Sequence, residues 1–245
     1  MRLLQSLKGR LQLVLRIPKW GHRPATYHYQ KVERAFRNSK NPRKPWESIL
    51  QLGDFRPTDR VLDMGCAEGM ISLEVAKRVD HLDGVEINPL RVKEANRLTV
   101  ERGVRNASFV TGSAIDYPLD PLSYDVTLLL SVLDKVTATG AVVGLTELRR
   151  ILNATRRQII IRYNVQKNSH ERTIPLAKLL AEMDELGFDG ICFGQSTFSN
   201  LIVGNRRGTD ARLAAAPPFV LLPTESMRAH PCIRDARIGT YDEFP

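Results

Sequence analysis

Short aliphatic and β-branched runs alternate with helical patterns along the chain from about Arg60 onward. The runs that predict buried strands are, in chain order, RVLDMG, HLDGVEI, ASFVTGS, YDVTLLLSV and RQIIIRYN. Helical patterns lie between them at about 69–79, 89–102 and 140–153, with Asn88 as a predicted cap and Pro89 in the first turn. Strands that alternate with helices of this length are typical of βαβ units and a mostly parallel sheet.

The pattern changes beyond residue 164. A polar loop comes first, and a helix is then predicted from about Pro175 to Leu186, ending at Gly187. Two further runs, GICFGQ and SNLIVGN, follow with only a few residues between them, which predicts an antiparallel hairpin that closes the sheet. The whole pattern therefore predicts an α/β fold with a seven-stranded, mostly parallel sheet and an antiparallel C-terminal hairpin.

The net charge of +9 is concentrated at the N-terminus. Of 36 Lys and Arg, twelve lie in residues 1–44, where Glu33 is the only one of 27 acids, a balance of +11. The remainder holds 24 basic and 26 acidic residues, a balance of −2. We therefore predict a basic N-terminal extension over residues 1–46, one domain over 47–208, and a Pro/Ala-containing tail over 209–245 whose structure the pattern does not predict.

The first seventeen residues have an amphipathic helical pattern. Five aliphatic residues share one face of a helical wheel: Leu4, Leu7, Leu11, Val14 and Leu15. The basic residues Arg2, Lys8, Arg10 and Arg16 lie on the rest of the wheel, and Leu13 and Ile17 fall outside the apolar stripe. This pattern is typical of a helix that lies on an anionic membrane surface. A helix docked on its own domain or on a second subunit, and a transit peptide, are the alternatives.

The cysteines and the hydropathy indicate the compartment. Cys66, Cys192 and Cys232 are far apart, odd in number and without metal-site spacing, which indicates reduced thiols and no metal site. No apolar run reaches the roughly 20 residues that span a bilayer, and basic residues interrupt the first apolar stretch. We expect a cytoplasmic protein, attached to the inner membrane face if the N-terminal helix binds there.

Acidic and glycine residues follow two neighbouring predicted strands. Asp63 ends the first, and Gly65 and Gly69 lie in the turn that follows it. Glu86 ends the second, 21 positions after Gly65. In an open parallel sheet, ligands bind at the carboxyl ends of the strands, where glycines allow close approach and a carboxylate can accept the ribose hydroxyls of a nucleotide.

These motifs resemble those of the class I S-adenosylmethionine-dependent methyltransferases, from about Arg60 to Arg207. VLDMGCAEG looks like the family's glycine-rich loop, VEIN like its ribose-binding acid, and VTGSAIDYPL like the loop beside the adenine. YDVTLLLSVLDKV looks like the fourth strand and the loop bordering the methyl group, and GICFGQSTFSNLIVGNRR like the terminal hairpin. The resemblance implies the Rossmann-like class I methyltransferase fold and S-adenosylmethionine as cofactor.

The resemblance implies eight cofactor-binding residues: Asp63, Gly65, Gly69, Glu86, Ile87, Ser113, Ala114 and Ser131. The glycines would shape the loop, and Asp63 would face the methionine amino group or a bridging water. Glu86 would bind the ribose, Ile87 would pack on the adenine, and Ser113 and Ala114 would lie along the adenine edge. Ser131 would lie near the methionine end.

Two positions depart from the family pattern. Alanine stands at Ala67, where the family often has glycine, and serine stands at Ser113, where an aspartate is common. A dinucleotide-dependent oxidoreductase is the nearest enzymatic alternative, but G-x-x-x-G here replaces the G-x-G-x-x-G that a pyrophosphate requires.

A general base is needed if the acceptor is a hydroxyl. Asp134 and Lys135 after the fourth strand, and His170 with Glu171 after the fifth, are the candidates. His170 is preferred because its intrinsic pKa suits proton abstraction near neutral pH. A second candidate group is Tyr27, His28 and Tyr29, in an extension that in this family often folds over the site.

The acceptor is predicted from the basic extension. A membrane-binding helix favours a hydroxyl of a glycan or lipid-linked saccharide, and hence polysaccharide biosynthesis at the inner membrane face. The first alternative is an RNA methyltransferase that uses residues 19–46 as a basic clamp, although LLLSVL lacks the Asn/Asp-Pro-Pro-aromatic element of base-amine methyltransferases. The second is a non-catalytic cofactor-binding partner of another enzyme. The sequence leaves the oligomeric state open.

Overall fold

A computed structural model describes residues 47–137, 141–164, 174–194, 199–209 and 220–223. Within them, one sheet has the strand order β3-β2-β1-β4-β5-β7-β6-β8. The strands are β1 Arg60–Met64, β2 His81–Glu86, β3 Ala107–Thr111, β4 Tyr124–Leu130, β5 Thr155–Asn164, β6 Phe188–Gly194, β7 Ser199–Arg206 and β8 Val220–Pro223. The first five run parallel, and β7 is antiparallel to both β5 and β6.

Helices cover both faces of the sheet. They are α1 Glu47–Leu52, α2 Met70–Ala76, α3 Pro89–Glu101, α4 Leu133–Thr137, α5 Ala141–Ala154 and α6 Leu176–Glu185. α1, α2 and α3 pack on one face around Leu73, and α5 and α6 pack on the other around Leu148 and Tyr163. Because both faces are covered, the central strands are almost continuously apolar and buried.

The predicted α/β sheet and its C-terminal hairpin are confirmed. The predicted helix cap is also present, since Asn88 Oδ1 accepts a hydrogen bond from the Leu90 amide at 3.0 Å and Pro89 occupies the first turn. The structure adds an eighth strand to the predicted seven. β8 comes from the tail and pairs parallel to β6. The three domain boundaries stay a prediction.

A buried ion pair ties the segment before β1 to the middle of the sheet. The Arg157 guanidinium on β5 donates hydrogen bonds to both carboxylate oxygens of Asp59, at 3.0 and 2.6 Å, and to the Asp54 carbonyl at 2.6 Å. Both side chains of the pair are almost fully buried. This arrangement fixes where β1 begins, and therefore where its carboxyl end meets the neighbouring strands.

Residues 112–123 connect β3 with β4 as a loop without a helix or strand. Across the parts of the chain that the structure describes, no helix combines the length and the apolar character that a bilayer crossing requires.

Candidate active site

Four loops meet at one edge of the sheet, because β1, β2, β3 and β4 run parallel and all end there. The eight predicted cofactor-binding residues lie at the ends of these strands or in the loops behind them. The structure thus brings the whole predicted set to one edge, which is where open parallel sheets bind their ligands.

Backbone hydrogen bonds connect the loops to β2. The amides of Gly65 and Cys66 both donate to the Val85 carbonyl, at 2.6 and 3.1 Å. The Gly112 amide, behind β3, donates to the Glu86 carbonyl at 3.0 Å. The end of β2 is therefore the common support of the glycine loop and of the loop after β3.

The loop after β1 is built from left-handed backbone conformations. Gly65 has φ +82° and Gly69 has φ +74°. A Cβ on Gly65 would lie 2.1 Å from Val132 Cγ2, and one on Gly69 would lie 2.9 Å from the Phe109 ring. Glycine is required at both positions because the loop has to turn and because its neighbours already occupy the space of a side chain.

Two non-glycine residues in this region also have positive φ. Ala67 has φ +51° in the loop after β1, and Ser131 has φ +58° directly after β4. The Ser131 amide donates to the Arg162 carbonyl at 2.9 Å, which holds this loop on β5. Each residue held in such a conformation lowers the stability of the fold by about 1–3 kcal/mol, and such residues cluster at functional sites.

We expect Ala67→Gly to raise the free energy of unfolding by about 0.5–1 kcal/mol. Glycine removes the left-handed cost of about 1–2 kcal/mol but makes the unfolded chain more flexible. Chemical denaturation measures the change, and Ala67→Val, whose branched side chain tolerates positive φ least, serves as the opposite control. A glycine variant less stable than the unaltered chain would contradict the strain at Ala67.

Glu86 is held in place by two backbone amides. Its Oε2 accepts a hydrogen bond from the Ala67 amide at 3.1 Å, and its Oε1 accepts one from the Asn88 amide at 2.9 Å. A carboxylate offers about four acceptor positions, so two stay available after these bonds are made. The orientation is therefore fixed before any ligand binds, and the remaining lone pairs can accept two ribose hydroxyls.

Asp63 is a buried carboxyl group at the end of β1. The Ser72 hydroxyl on α2 donates a hydrogen bond to its Oδ2 at 2.6 Å. Burial raises the pKa of Asp63 to about 6; the bond from Ser72 opposes this, and the Glu86 charge adds to it. Near neutral pH the group is an anion in an apolar environment, where a cationic ligand would be stabilised strongly.

The Asp63 pKa predicts a pH dependence of stability without ligand. The pKa is about 6 in the fold and about 3.9 in an unfolded chain, so the folded state binds the extra proton between these values. The stabilisation is complete below about pH 4 and is lost as the pH rises through about 6, by at most about 3 kcal/mol. Denaturation from pH 4 to 7 measures it, and Asp63→Asn should remove this part of the slope. An identical slope in Asp63→Asn would contradict the assignment.

Sequence reasoning missed Glu68. This side chain is almost fully buried within the glycine loop, its Oε1 makes no hydrogen bond, and Arg91 Nε on α3 lies 3.4 Å from that oxygen. Together with Asp63 and Glu86 at the strand ends, Glu68 brings three carboxylates to this region.

Cys66 lies among these three carboxylates. Burial, followed by the charges of Asp63 and Glu86, raises the pKa of its thiol well above the usual range. Its thiol is therefore a poor nucleophile.

The predicted adenine region combines an exposed apolar residue with a turn. Ile87, directly after β2, is 54% exposed, which leaves its side chain available to pack on a flat ring. Ser113 forms a turn, since its Oγ accepts from the Ile115 amide at 3.1 Å and its carbonyl accepts from the Tyr117 amide at 2.9 Å. The Ser113 hydroxyl oxygen is thus engaged within the turn, and the backbone of Ser113 and Ala114 is the part that can face the adenine edge.

The structure places only some of the predicted catalytic residues. Asp134 and Lys135 belong to α4, directly after the β4 loop, and the Lys135 side chain is exposed. His170 with Glu171, and the group Tyr27, His28 and Tyr29, lie outside the described residues. The roles of all these residues stay predictions.

The residues present fit S-adenosylmethionine. Its sulfonium and amino groups are cationic, its ribose offers two hydroxyls and its adenine is flat. The edge of the sheet matches these with buried carboxylates at Asp63 and Glu68, a fixed acceptor at Glu86, and a loop whose glycines let it turn tightly against its neighbours Val132 and Phe109. Among the described residues, no group of His, Cys, Asp and Glu is placed to hold a metal ion.

Comparison with known sequences points to the same chemistry. A sequence model of the family described as "Methyltransferase domain" matches residues 56–203. A segment of 93 residues, 38% of this chain, is 29% identical to a 23S rRNA (uracil(1939)-C(5))-methyltransferase of Methylococcus capsulatus and covers 20% of that protein. The chain spans no more than about a fifth of the length of the first curated relatives that it matches.

Solved structures share the fold. A TehB-like SAM-dependent methyltransferase of Corynebacterium glutamicum is 16% identical, with a TM-score of 0.55 over 76% of this chain and 100% of that one. The magnesium protoporphyrin IX methyltransferase of Synechocystis PCC 6803, solved with bound SAH, is 15% identical, with a TM-score of 0.55 over 74% of this chain and 95% of that one. At these identities the likeness shows the fold alone.

Proposed function

Because the chain belongs to the methyltransferase-domain family and is a class I S-adenosylmethionine-dependent methyltransferase, we propose that it methylates a hydroxyl of a glycan or lipid-linked saccharide at the cytoplasmic membrane face. S-adenosylmethionine supplies an activated methyl group when bound. The observation that carries the methyl-transfer part is the edge built from Gly65, Gly69 and Glu86, in which the ribose acceptor is oriented in advance.

The protein's own contribution is binding, orientation and exclusion of water. Glu86 holds the ribose, and Asp63 attracts the cationic end towards β1. The loop at Ser131 and Val132 borders the methionine end and limits the directions from which an acceptor can approach. Holding two reactants in line at near-attack distance can supply about 7–11 kcal/mol, so these roles account for much of the catalysis.

The acceptor is proposed from the distribution of charge. Residues 1–44 carry a balance of +11, whereas the remainder is close to neutral at −2. An enzyme whose substrate is lipid-linked gains most from a basic amphipathic segment, because binding to an anionic membrane raises the local substrate concentration. A hydroxyl acceptor then needs a base, and His170 is the first candidate.

RNA methylation is the second candidate function. It is favoured by the relatives, which are named as RNA methyltransferases, and by the basic and aromatic residues of segment 19–46. Methylation at uracil C5 generally calls for a thiolate nucleophile, and of the three cysteines Cys66 does not suit this role, because its thiol is buried and its pKa is raised.

Matched substitutions in the N-terminal segment distinguish the two functions. In the amphipathic pattern, Leu11 lies in the apolar stripe and Leu13 lies outside it. On the membrane proposal, Leu11→Asp should abolish co-sedimentation with anionic liposomes and lower methyl incorporation into the lipid-linked saccharide fraction, whereas Leu13→Asp should lower both much less. Incorporation of labelled methyl groups into RNA, with RNA binding that weakens steeply with salt, would support the second function instead.

His170→Ala separates chemistry from cofactor binding. On the hydroxyl proposal, turnover falls by about 100-fold or more while SAH affinity is unchanged. An unaltered rate would remove His170 from the mechanism, and cofactor binding without turnover on any extract would favour a non-catalytic partner of another enzyme.

A further inference from the structure

The loop after β3 carries the predicted adenine contacts but cannot fix its own position. Its turn from Ser113 to Tyr117 is closed by bonds within the turn, to the Ser113 carbonyl and hydroxyl. Such bonds define the shape of the turn, whereas its place relative to the sheet depends on contacts with other elements. At its start, the Gly112 amide is bonded to β2. Ala114 and Tyr117 also pack against the apolar cluster around Leu148. Such packing is not directional, so a directional support has to come from hydrogen bonds with a second element.

Arg150, on α5, supplies that support. Its Nη2 donates a hydrogen bond to the Ala114 carbonyl at 2.5 Å, and its Nη1 donates one to the Tyr117 carbonyl. Its Nε donates to Glu147 Oε2 at 2.7 Å, one turn earlier on the same helix. Glu147 is almost fully buried, and its carboxylate fixes the orientation of the guanidinium. The two terminal nitrogens of the guanidinium can then bind both carbonyls of the turn.

We infer that Arg150 is a positioning residue for the cofactor: it holds the turn at Ala114 and Tyr117 on α5 and thereby fixes the backbone that reads the adenine edge. This inference rests on the proposed placement of the adenine beside Ser113 and Ala114, and it is independent of the acceptor. Arg150 does not belong to the eight residues predicted to touch the cofactor, and its effect passes through two main-chain carbonyls.

A positioning role of this kind affects which nucleobase the site prefers in its ligand. The adenine amine is a hydrogen-bond donor. A carbonyl of the turn has two lone pairs, so it can accept from the amine in addition to its present partner, but only if the loop lies within bonding distance. A loop that is free to shift would lose the preference for an amine over an oxo group before it lost general affinity for the nucleoside. Base discrimination therefore distinguishes positioning from a merely structural contribution.

The test compares two ligands and two neighbouring arginines. Titration calorimetry on the full chain measures the Kd of SAH and of S-inosylhomocysteine, in which an oxo group replaces the adenine amine. Arg150→Met should weaken SAH binding by about tenfold or more and bring the ratio of the two Kd values towards one. The control is Arg149→Met, because Arg149 pairs with Glu182 on α6 and does not touch the loop. It should leave both Kd values within about twofold.

A second variant is used if Arg150→Met does not fold, which loss of cooperative unfolding would show. Arg150→Lys keeps the charge but loses the fork, and should give a smaller loss of SAH affinity and of the Kd ratio. A folded variant that keeps the unaltered ratio, even with lower thermal stability, would overturn the inference and leave the cofactor site standing. If the unaltered chain does not bind SAH, the cofactor site itself is wrong and the inference falls with it.

Discussion

Gly65→Ala is expected to cost about 2–5 kcal/mol of unfolding free energy and to weaken cofactor binding severely. The left-handed φ of +82° costs alanine about 1–2 kcal/mol, and the new Cβ would lie 2.1 Å from Val132 Cγ2, an overpacking that adds about 1–3 kcal/mol. Chemical denaturation measures the stability, and titration with SAH measures the binding. Gly65→Asp, with a longer side chain, should abolish SAH binding altogether.

The backbone and steric parts of this effect can be separated. Gly187 has the same φ of +82°, and nothing lies within 4 Å of where its Cβ would be. Gly187→Ala should therefore show the backbone cost alone. The double variant Gly65→Ala/Val132→Ala should recover about 1–3 kcal/mol, because it removes the methyl group that causes the clash. Equal costs for Gly65→Ala and Gly187→Ala would contradict the close contact described above.

Glu86→Ala is expected to weaken SAH binding by about 1.5–3 kcal/mol, or roughly tenfold to more than 100-fold. The substitution removes the acceptor for the ribose and also leaves the amides of Ala67 and Asn88 without their partner. Glu86→Gln keeps one acceptor oxygen, so its affinity for SAH should lie between that of the unaltered chain and that of Glu86→Ala. Calorimetric titration at pH 7 provides the comparison.

A double-mutant cycle isolates the ribose contact. In the unaltered chain, an SAH analogue lacking the ribose 2′-hydroxyl should bind more weakly than SAH, whereas in Glu86→Ala the two should bind almost equally. The coupling energy between Glu86 and the hydroxyl is then obtained without the loss caused by the displaced loop. A full penalty for the analogue in Glu86→Ala would mean that Glu86 is not the ribose acceptor.

The sequence predicted the strands well where apolar β-branched runs are bounded by turn residues. β1 and β4 were found this way, and Asn88 with Pro89 predicted the start of α3. By contrast, α4 is only five residues long, too short for a helical period to be visible. β8 lies in a proline-containing stretch, and its strand conformation comes from pairing with β6, which local sequence does not reveal.

The site, like the fold, was predictable where the signal is local in the sequence and not where it depends on contacts between distant residues. Gly65, Gly69 and Glu86 were identified because strand, turn and acid follow one another along the chain. The unusual backbone at Ala67 had a signal, since the related family often has glycine there. Glu68 with Arg91, and Arg150 with the loop after β3, are contacts between residues 23 to 36 positions apart. Nothing in local periodicity distinguishes such residues from ordinary surface charges.

The tail strand has a consequence for self-association. A sheet edge with many unpaired amide and carbonyl groups is a template on which another chain can add a strand. β6 is seven residues long and would present such a template, but β8 pairs with its last four residues, 191–194. β8 itself has only four residues and ends in Pro223, which has no N–H to donate. Among the residues that the structure describes, β8 therefore offers little for a second copy to extend, and it removes part of β6 from edge-to-edge pairing.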